Sequence, residues 1–295
     1  MFDGFEELRV EVDGNVIAGR IGGSGPPVLL LHGIPQTHLM WHRVAPTLAT
    51  HFTVVATDLR GFGGSGKPAS GPDHAPYGMG TIAAEQVAVM RALGFERFAV
   101  AGHDRGGRCA YRMALDHPDV VTRLAVLDVV PTGEVFDRAD KEFALGYWVW
   151  SFLAAREPVP EQMIAAAPET FVGYMLDDWS GDPTAFPAEV RSVYVDQFRD
   201  EATVHAICEE YRAAATIDHE RDTADRGHRR IQCPVQVLWD GSGAVGTWYG
   251  DPLALWRSWA DDVTGHPIDA GHFLPEQAPE KTLTALLDFL SPLSN

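Results

Sequence analysis

The sequence predicts an α/β fold, a mostly parallel sheet flanked by helices with a helical cap inserted late in the strand series. Three observations carry this reading. Short apolar runs of strand length alternate with helix-compatible stretches along the first half of the chain. The alternation stops between about Pro131 and Gln232, and it resumes before the C-terminus. Near-continuous apolar strands spaced by helices indicate a parallel sheet covered on both faces.

Taken in order, Glu7–Val12 and Val16–Arg20 flank an Asp13-Gly14 turn, a strong hairpin signal. Pro27–His32 (PVLLLH), Thr53–Thr57 (TVVAT), Phe98–Ala101 (FAVA), Arg123–Leu127 (RLAVL) and Pro234–Leu238 (PVQVL) read as buried strands. Helices are expected over Met79–Leu93, Gly106–His117, Leu253–Ala260 and Pro279–Leu290. The intervening segment has no clear strand run and carries Trp148, Trp150, Trp179, Tyr194 and Tyr211. It reads as a helical insertion lying over the end of the sheet. The expected division is a core of residues 1–131 and 233–295 and a cap of residues 132–232. There is no internal repeat and no low-complexity tract.

Composition bounds the partners. The 295 residues are 45% hydrophobic, ample for a buried core in one large domain or one domain with an insertion. No run approaches the roughly 20 apolar residues of a membrane helix. The acidic start, Met1–Val10, lacks the basic and apolar stretches of a signal peptide, so a cytoplasmic location is the expectation. Cys109, Cys208 and Cys233 are far apart and odd in number, which fits packed thiols better than a disulfide frame or metal site. A formal net charge of −18 argues against nucleic acid and anionic membrane as partners. Any site for an anionic substrate must therefore be a local cationic pocket in an acidic protein.

The chemistry begins at Gly102-His103-Asp104-Arg105-Gly106, directly after the Phe98–Ala101 strand and before a helix. This is the strand–turn–helix setting of the G-x-S-x-G elbow, with aspartate in the serine position. Glycines at both ends permit a tight turn that lifts the central side chain clear of the sheet. The new helix N-terminus favours a negative charge, so Asp104 should stay ionised. A carboxylate can displace a leaving group at an sp³ carbon and form an ester. Read alone, the same aspartate could be an ordinary helix N-cap.

Other segments decide between these. His32-Gly33-Ile34-Pro35 follows an early strand, where such folds place a second oxyanion-hole amide, and Gly271-His272-Phe273 precedes the last helix. Nucleophile, acid, then histidine is the chain order of the α/β-hydrolase fold. Asp128 is the preferred acid, since a carboxylate ending the Arg123–Leu127 strand can take the His272 N–H and fix its tautomer. Asp240, at the end of the Pro234–Leu238 strand, is the alternative. Two decoys are set aside. Gly61–Gly66 matches G-x-G-x-x-G, but Lys67-Pro68 follows where a helix is needed. His38 and His42 stand at i, i+4 without the glutamate of a zinc helix, and with 12 histidines a chance pair is the better account.

With these residues assembled, the sequence resembles the haloacetate dehalogenases, whose best-known activity is on fluoroacetate. The likeness covers nearly the whole chain. It is clearest in Leu31–Leu48, Ala101–Pro118, Leu124–Thr132, Trp150–Ala154, Cys208–Ala213 and Gly271–Pro275. The HGxP and G-x-D-x-G motifs are shared with epoxide hydrolases; the D-R-x-x-R run, Asp104 to Arg108, is the specific feature. The resemblance implies that Arg105 and Arg108 hold the carboxylate of a short haloacid with its Cα against Asp104. It implies a covalent ester on Asp104, hydrolysed by water that His272 activates, with Asp128 orienting His272 and the Ile34 and Arg105 amides holding the oxyanion. The expected products are glycolate, halide and a proton, with no cofactor or metal required. Trp150 and Tyr211 match the family's halide donors. There is one departure: the residue before the tryptophan, usually histidine in the family, is Val149, so the family's fluoride stabilisation is in doubt. The partner expected is a small anionic substrate, and the likeness is compatible with a homodimer.

Two other readings stand beside this one. An epoxide hydrolase would share Asp104, His272 and HGxP and use paired cap tyrosines, Tyr211 with Tyr147 or Tyr174. Two arginines beside the nucleophile suit an apolar epoxide badly, because a buried unpaired charge is expensive. A non-catalytic protein that only binds a small carboxylate is the third, and the set Asp104, Asp128, His272 argues against it.

Overall fold

The computed structural model describes residues 1–291. Its strands are β1 (Phe5–Val12), β2 (Asn15–Gly23), β3 (Pro27–Leu31), β4 (Thr53–Thr57), β5 (Phe98–His103), β6 (Val121–Leu127), β7 (Val235–Asp240) and β8 (Val263–Ile268). They form one sheet in the order β1-β2-β4-β3-β5-β6-β7-β8. The β1–β2 and β2–β4 pairs are antiparallel and every later pair is parallel.

The apolar runs are continuous because both faces are covered. Leu29 and Leu31 enter one apolar cluster while Val28 and Leu30 enter the other, as the alternation of side chains across a strand requires. In the first cluster the sheet meets the helices Met79–Ala92 and Arg105–Asp116 through Ile82, Val87, Cys109 and Met113. On the opposite face Ala285, Leu286 and Leu290 of the helix Pro279–Leu290 pack against Ala125 and Leu238.

Strand β8 has no counterpart among the expected elements. It is an edge strand, VTGHPI, with exposed residues over most of its length. Glycine and proline, tolerated at an edge, break the apolar pattern that marks the inner strands. Between β6 and β7 the chain is helical, from Thr132–Asp137 through Glu201–Ala213 to His219–Asp225. Val149, Leu153, Val172, Leu176, Tyr194 and Ile207 of this segment belong to the same apolar cluster as β3 and β5. The helical segment is thus welded to the sheet by a shared core. No helix among the described residues is long and apolar enough to cross a membrane.

Candidate active site

The sheet's central strands end where the site begins. β5 stops at His103, Asp104 takes a strained backbone with φ 44° and ψ −114°, and the helix starts at Arg105. The turn needs its glycines: a Cβ on Gly102 would stand 2.2 Å from the Gly106 carbonyl oxygen, and one on Gly106 2.4 Å from that of Leu31. Asp104 is buried, and its Oδ2 accepts a hydrogen bond from the Ile34 amide at 3.1 Å. Burial opposes its charge, but His272, His103, Arg108 and Arg105 together hold its carboxyl below the usual range, so it is ionised. Arg105 is the first residue of its helix, where backbone amides have no intrahelical acceptor. Its amide is one free main-chain donor at the turn, and that of Ile34, bonded to Asp104, is another.

The loop bearing Ile34 is locked by His32. Its Nδ1 donates to the Gly33 carbonyl at 2.9 Å and its Nε2 accepts the Leu59 amide at 3.0 Å. Burial pushes its pKa down to about 4, so the ring is neutral, as this pattern requires.

Asp128 ends β6 with φ 50° and points one oxygen at each of two neighbours. Oδ2 takes His272 Nδ1–H at 2.6 Å, while Oδ1 accepts the Asp240 amide at 3.0 Å. Asp240 spends its own carboxylate on the Ser242 amide and hydroxyl, at 3.1 and 3.0 Å. Of the two acids it is Asp128 whose carboxylate meets the histidine, and Asp240 donates its backbone amide to Asp128. The His272 backbone is fixed from two sides, its amide donating to Trp179 and its carbonyl accepting from His103 Nε2. Burial opposes protonation of His272, but the Asp128 hydrogen bond and charge, with Asp104, raise its pKa above the ordinary imidazole value.

Arg105 and Arg108 are both buried, at 0% and 3% exposure. The Arg105 Nε donates to Glu210 Oε1, its guanidinium lies over the Tyr211 ring at 4.5 Å, and its Nη1 has no acceptor. Arg108 stacks on Trp150 at 4.4 Å and gives Nη1 to the Val130 carbonyl and Thr132 Oγ1, at 2.8 and 3.3 Å. Its Nε is buried and unpartnered. Two cations beside one buried carboxylate, each with an unused donor, suit an anion. Glu210 partly neutralises Arg105, so the two buried cations weigh less heavily against an apolar epoxide than two unpaired ones would. What remains without a partner is Nη1 of Arg105 and the Nε–Nη2 edge of Arg108.

A small cavity lies over Asp104 and is lined by Arg108, Asp128, Trp150, Tyr211 and His272 among others. Arg105 stands behind the lining, against Tyr211. Trp150 and Tyr211 meet edge to face at 5.5 Å. Val149 is fully buried in the apolar cluster and lies outside the cavity wall. Tyr147 lines the cavity, whereas Tyr174 faces an apolar groove with Trp148 and Phe152. Sequence reasoning missed Trp179, Val245 and Tyr249 on the wall, along with the pairing role of Glu210. Glu210 stood inside the Cys208–Ala213 segment, but nothing local announced its partner.

The decoys resolve as structure. Lys67 Nζ fills the Gly61–Gly66 turn with bonds to the Gly63 and Ser65 carbonyls. His38 pairs with Asp58, and His42 donates to its own helix at Leu39. Among the described residues no group of three or more His, Cys, Asp or Glu side chains is arranged to hold a metal ion.

The sheet order, the elbow and the Asp104, Asp128, His272 arrangement define a hydrolase scaffold, and the chain belongs to the alpha/beta hydrolase fold family, whose sequence model matches residues 26–279. It is 45% identical to a fluoroacetate dehalogenase from Burkholderia sp over 99% of this chain and 95% of that one. It is 31% identical to a soluble epoxide hydrolase from Corynebacterium sp. (strain C12) over 92% of each chain. In structure it resembles a protein from Nostoc sp PCC 7120 classed with the α/β hydrolases, at a TM-score of 0.96 and 49% identity over 99% of both chains.

Proposed function

We propose that this protein hydrolyses short haloacids at the carbon–halogen bond, converting haloacetate and water to glycolate, halide and a proton. The observation that carries the reading is the pair of buried, unused donors, Arg105 Nη1 and Arg108 Nε, beside the ionised Asp104. The similarity to a fluoroacetate dehalogenase supports it.

In this reading the arginines seat the substrate carboxylate and present Cα to Asp104. One carboxylate oxygen attacks in line; the C–O bond forms as the carbon–halogen bond breaks, and its electron pair leaves with the halide. Trp150 and Tyr211 supply N–H and O–H to that departing charge. His272 then takes a proton from water, and the hydroxide formed attacks the ester carbonyl of Asp104; the acyl C–O bond to glycolate breaks, the leaving oxygen takes the proton back from His272, and the regenerated Asp104 carboxyl releases the product proton. The Ile34 amide, already on Asp104 Oδ2, and the Arg105 amide hold the oxyanion. Residues 132–232 act as the cap that closes the site from water, and the small anionic substrate is the partner expected.

The reading is tested on the arginines. Arg108→Leu should lower kcat/KM for chloroacetate by about two orders of magnitude, through lost anchoring and lost in-line geometry. Arg105→Leu should do the same and also lower the unfolding temperature, because it strands buried Glu210; breaking a buried pair costs about 3–5 kcal/mol. Near-normal kcat/KM in the Arg108 variant would remove the carboxylate clamp.

A second reading has one specific observation behind it. Tyr147 and Tyr211 both line the cavity, as the ring-opening tyrosines of an epoxide hydrolase would. Styrene oxide is therefore the comparison substrate throughout.

Asp128→Asn should slow ester hydrolysis far more than Asp240→Asn, since only Asp128 touches His272. Single-turnover kinetics of the two variants measures this, and the reverse order would reassign the acid.

Fluoride is strongly hydrated and a poor leaving group, so its release depends most on donors that strengthen as charge develops. Val149 supplies none. Chloroacetate and bromoacetate should turn over faster than fluoroacetate, by about one to two decades if the missing bond acts only in the transition state. Val149 stands behind the cavity wall, so Val149→His should raise defluorination relative to dechlorination through the longer reach of the imidazole past that wall, with some loss of stability because the position is in the apolar core. Wild-type preference for fluoroacetate would overturn this.

A further inference from the structure

We propose that Glu210 is a positioning residue for the substrate carboxylate, holding the Nε edge of Arg105 so that only the opposite edge of that guanidinium faces the substrate. The proposal rests on the haloacid reading above and names how its clamp is built.

A guanidinium offers five N–H donors in a rigid fork. In Arg105 the Nε is taken by Glu210 Oε1, and Nη2 lies 3.5 Å from the Glu210 carbonyl oxygen. Nη1 alone is buried without an acceptor. In Arg108 it is Nη1 that is bonded, to Val130 and Thr132, while Nε is buried without a partner and Nη2 makes no hydrogen bond among the described residues. The two arginines therefore contribute their unsatisfied donors from different edges. A carboxylate with two oxygens can satisfy both by taking one from each.

Glu210 has the means to enforce this. It is fully buried, so the pair with Arg105 is not loosened by solvent. It lies on the helix Glu201–Ala213 beside Tyr211, whose ring covers the Arg105 guanidinium. Consecutive residues of one helix thus grip the cation at its Nε edge and over its face. After Glu210 the carboxylate acting most strongly on Arg105 is the nucleophile itself, and an arginine bonded to Asp104 would stabilise the ground state and blunt attack. Glu210 also offsets one of the two positive charges behind the cavity, which limits how tightly an anion is held.

The test uses Glu210→Gln and Glu210→Ala in the full chain, with chloroacetate kinetics, glycolate inhibition and thermal unfolding. Glutamine keeps the oxygen that accepts Arg105 Nε but removes the charge. It should lower both KM and the glycolate inhibition constant by about five-fold. It should also lower kcat, because Arg105 then acts more strongly on Asp104. Alanine removes the acceptor as well, and KM should rise by about ten-fold. This opposite movement of KM is not expected of a residue that only fills space. KM unchanged in the glutamine variant, or moved the same way in both, overturns the proposal; if the alanine protein does not fold, the fall in KM of the glutamine protein decides alone. Arg108→Leu separates the two levels. If it leaves chloroacetate KM and glycolate inhibition unchanged, the clamp itself is wrong and the Glu210 role falls with it. If it abolishes glycolate inhibition while Glu210→Gln changes nothing, the clamp stands and only the Glu210 role is lost.

Discussion

Replacing His272 with asparagine is expected to stop the reaction halfway, leaving a carboxymethyl ester on Asp104. Displacement at Cα needs only the ionised carboxylate, which burial alone would neutralise but the neighbouring cations keep charged. Hydrolysis of the ester needs a base, and in the proposed mechanism His272 supplies it, with Asp128 on its Nδ1. In the ester the Asp104 charge is gone, so one of the influences raising the His272 pKa disappears when the imidazole must be neutral. Exposure of the variant to chloroacetate should release about one halide per active site and then cease. Intact-protein mass spectrometry should find the adduct, and peptide mapping should place it on the segment containing Asp104. An unmodified mass, in a folded variant that binds substrate, would exclude the covalent route.

Asp104→Asn is expected to have the larger effect on the first half, with loss of about four orders of magnitude or more in halide release. Asparagine is nearly isosteric and its side-chain oxygen can still accept the Ile34 amide, so the elbow should survive. What is lost is the nucleophile: a neutral amide oxygen does not displace halide at a useful rate. The variant also removes the negative charge facing Arg105 and Arg108. It should therefore bind glycolate more tightly than the native protein while turning nothing over. Tighter product binding with no catalysis distinguishes loss of chemistry from loss of fold.

Much of this site was legible in the sequence because its constraints are local. Gly102 and Gly106 bracket Asp104 within one tight turn, and both glycines are demanded by backbone contacts a few ångströms away. Arg108 follows the nucleophile by one helical turn, so its approach to the same pocket is a matter of helix period. The acid was harder, since Asp128 and Asp240 both end strands of the same sheet, and only the pleat and the reach of the side chain separate them. Glu210 was out of reach: it meets Arg105 across 105 positions of chain, between the helical segment and the nucleophile's helix. Trp179 and Tyr249 likewise come from segments whose local pattern says nothing of the cavity they line. β8 was missed for a different reason: an edge strand has no need of a continuous apolar run, and Gly265 and Pro267 erase the strand signal.

The most direct measurement is halide release by the native protein from fluoro-, chloro- and bromoacetate, run beside diol formation from styrene oxide. Stoichiometric halide and glycolate from the haloacetates are expected, fastest for the bromo and chloro acids, with no comparable diol. Diol formation without halide release would contradict the haloacid assignment and leave the paired tyrosines Tyr147 and Tyr211 as the better guide to this cavity.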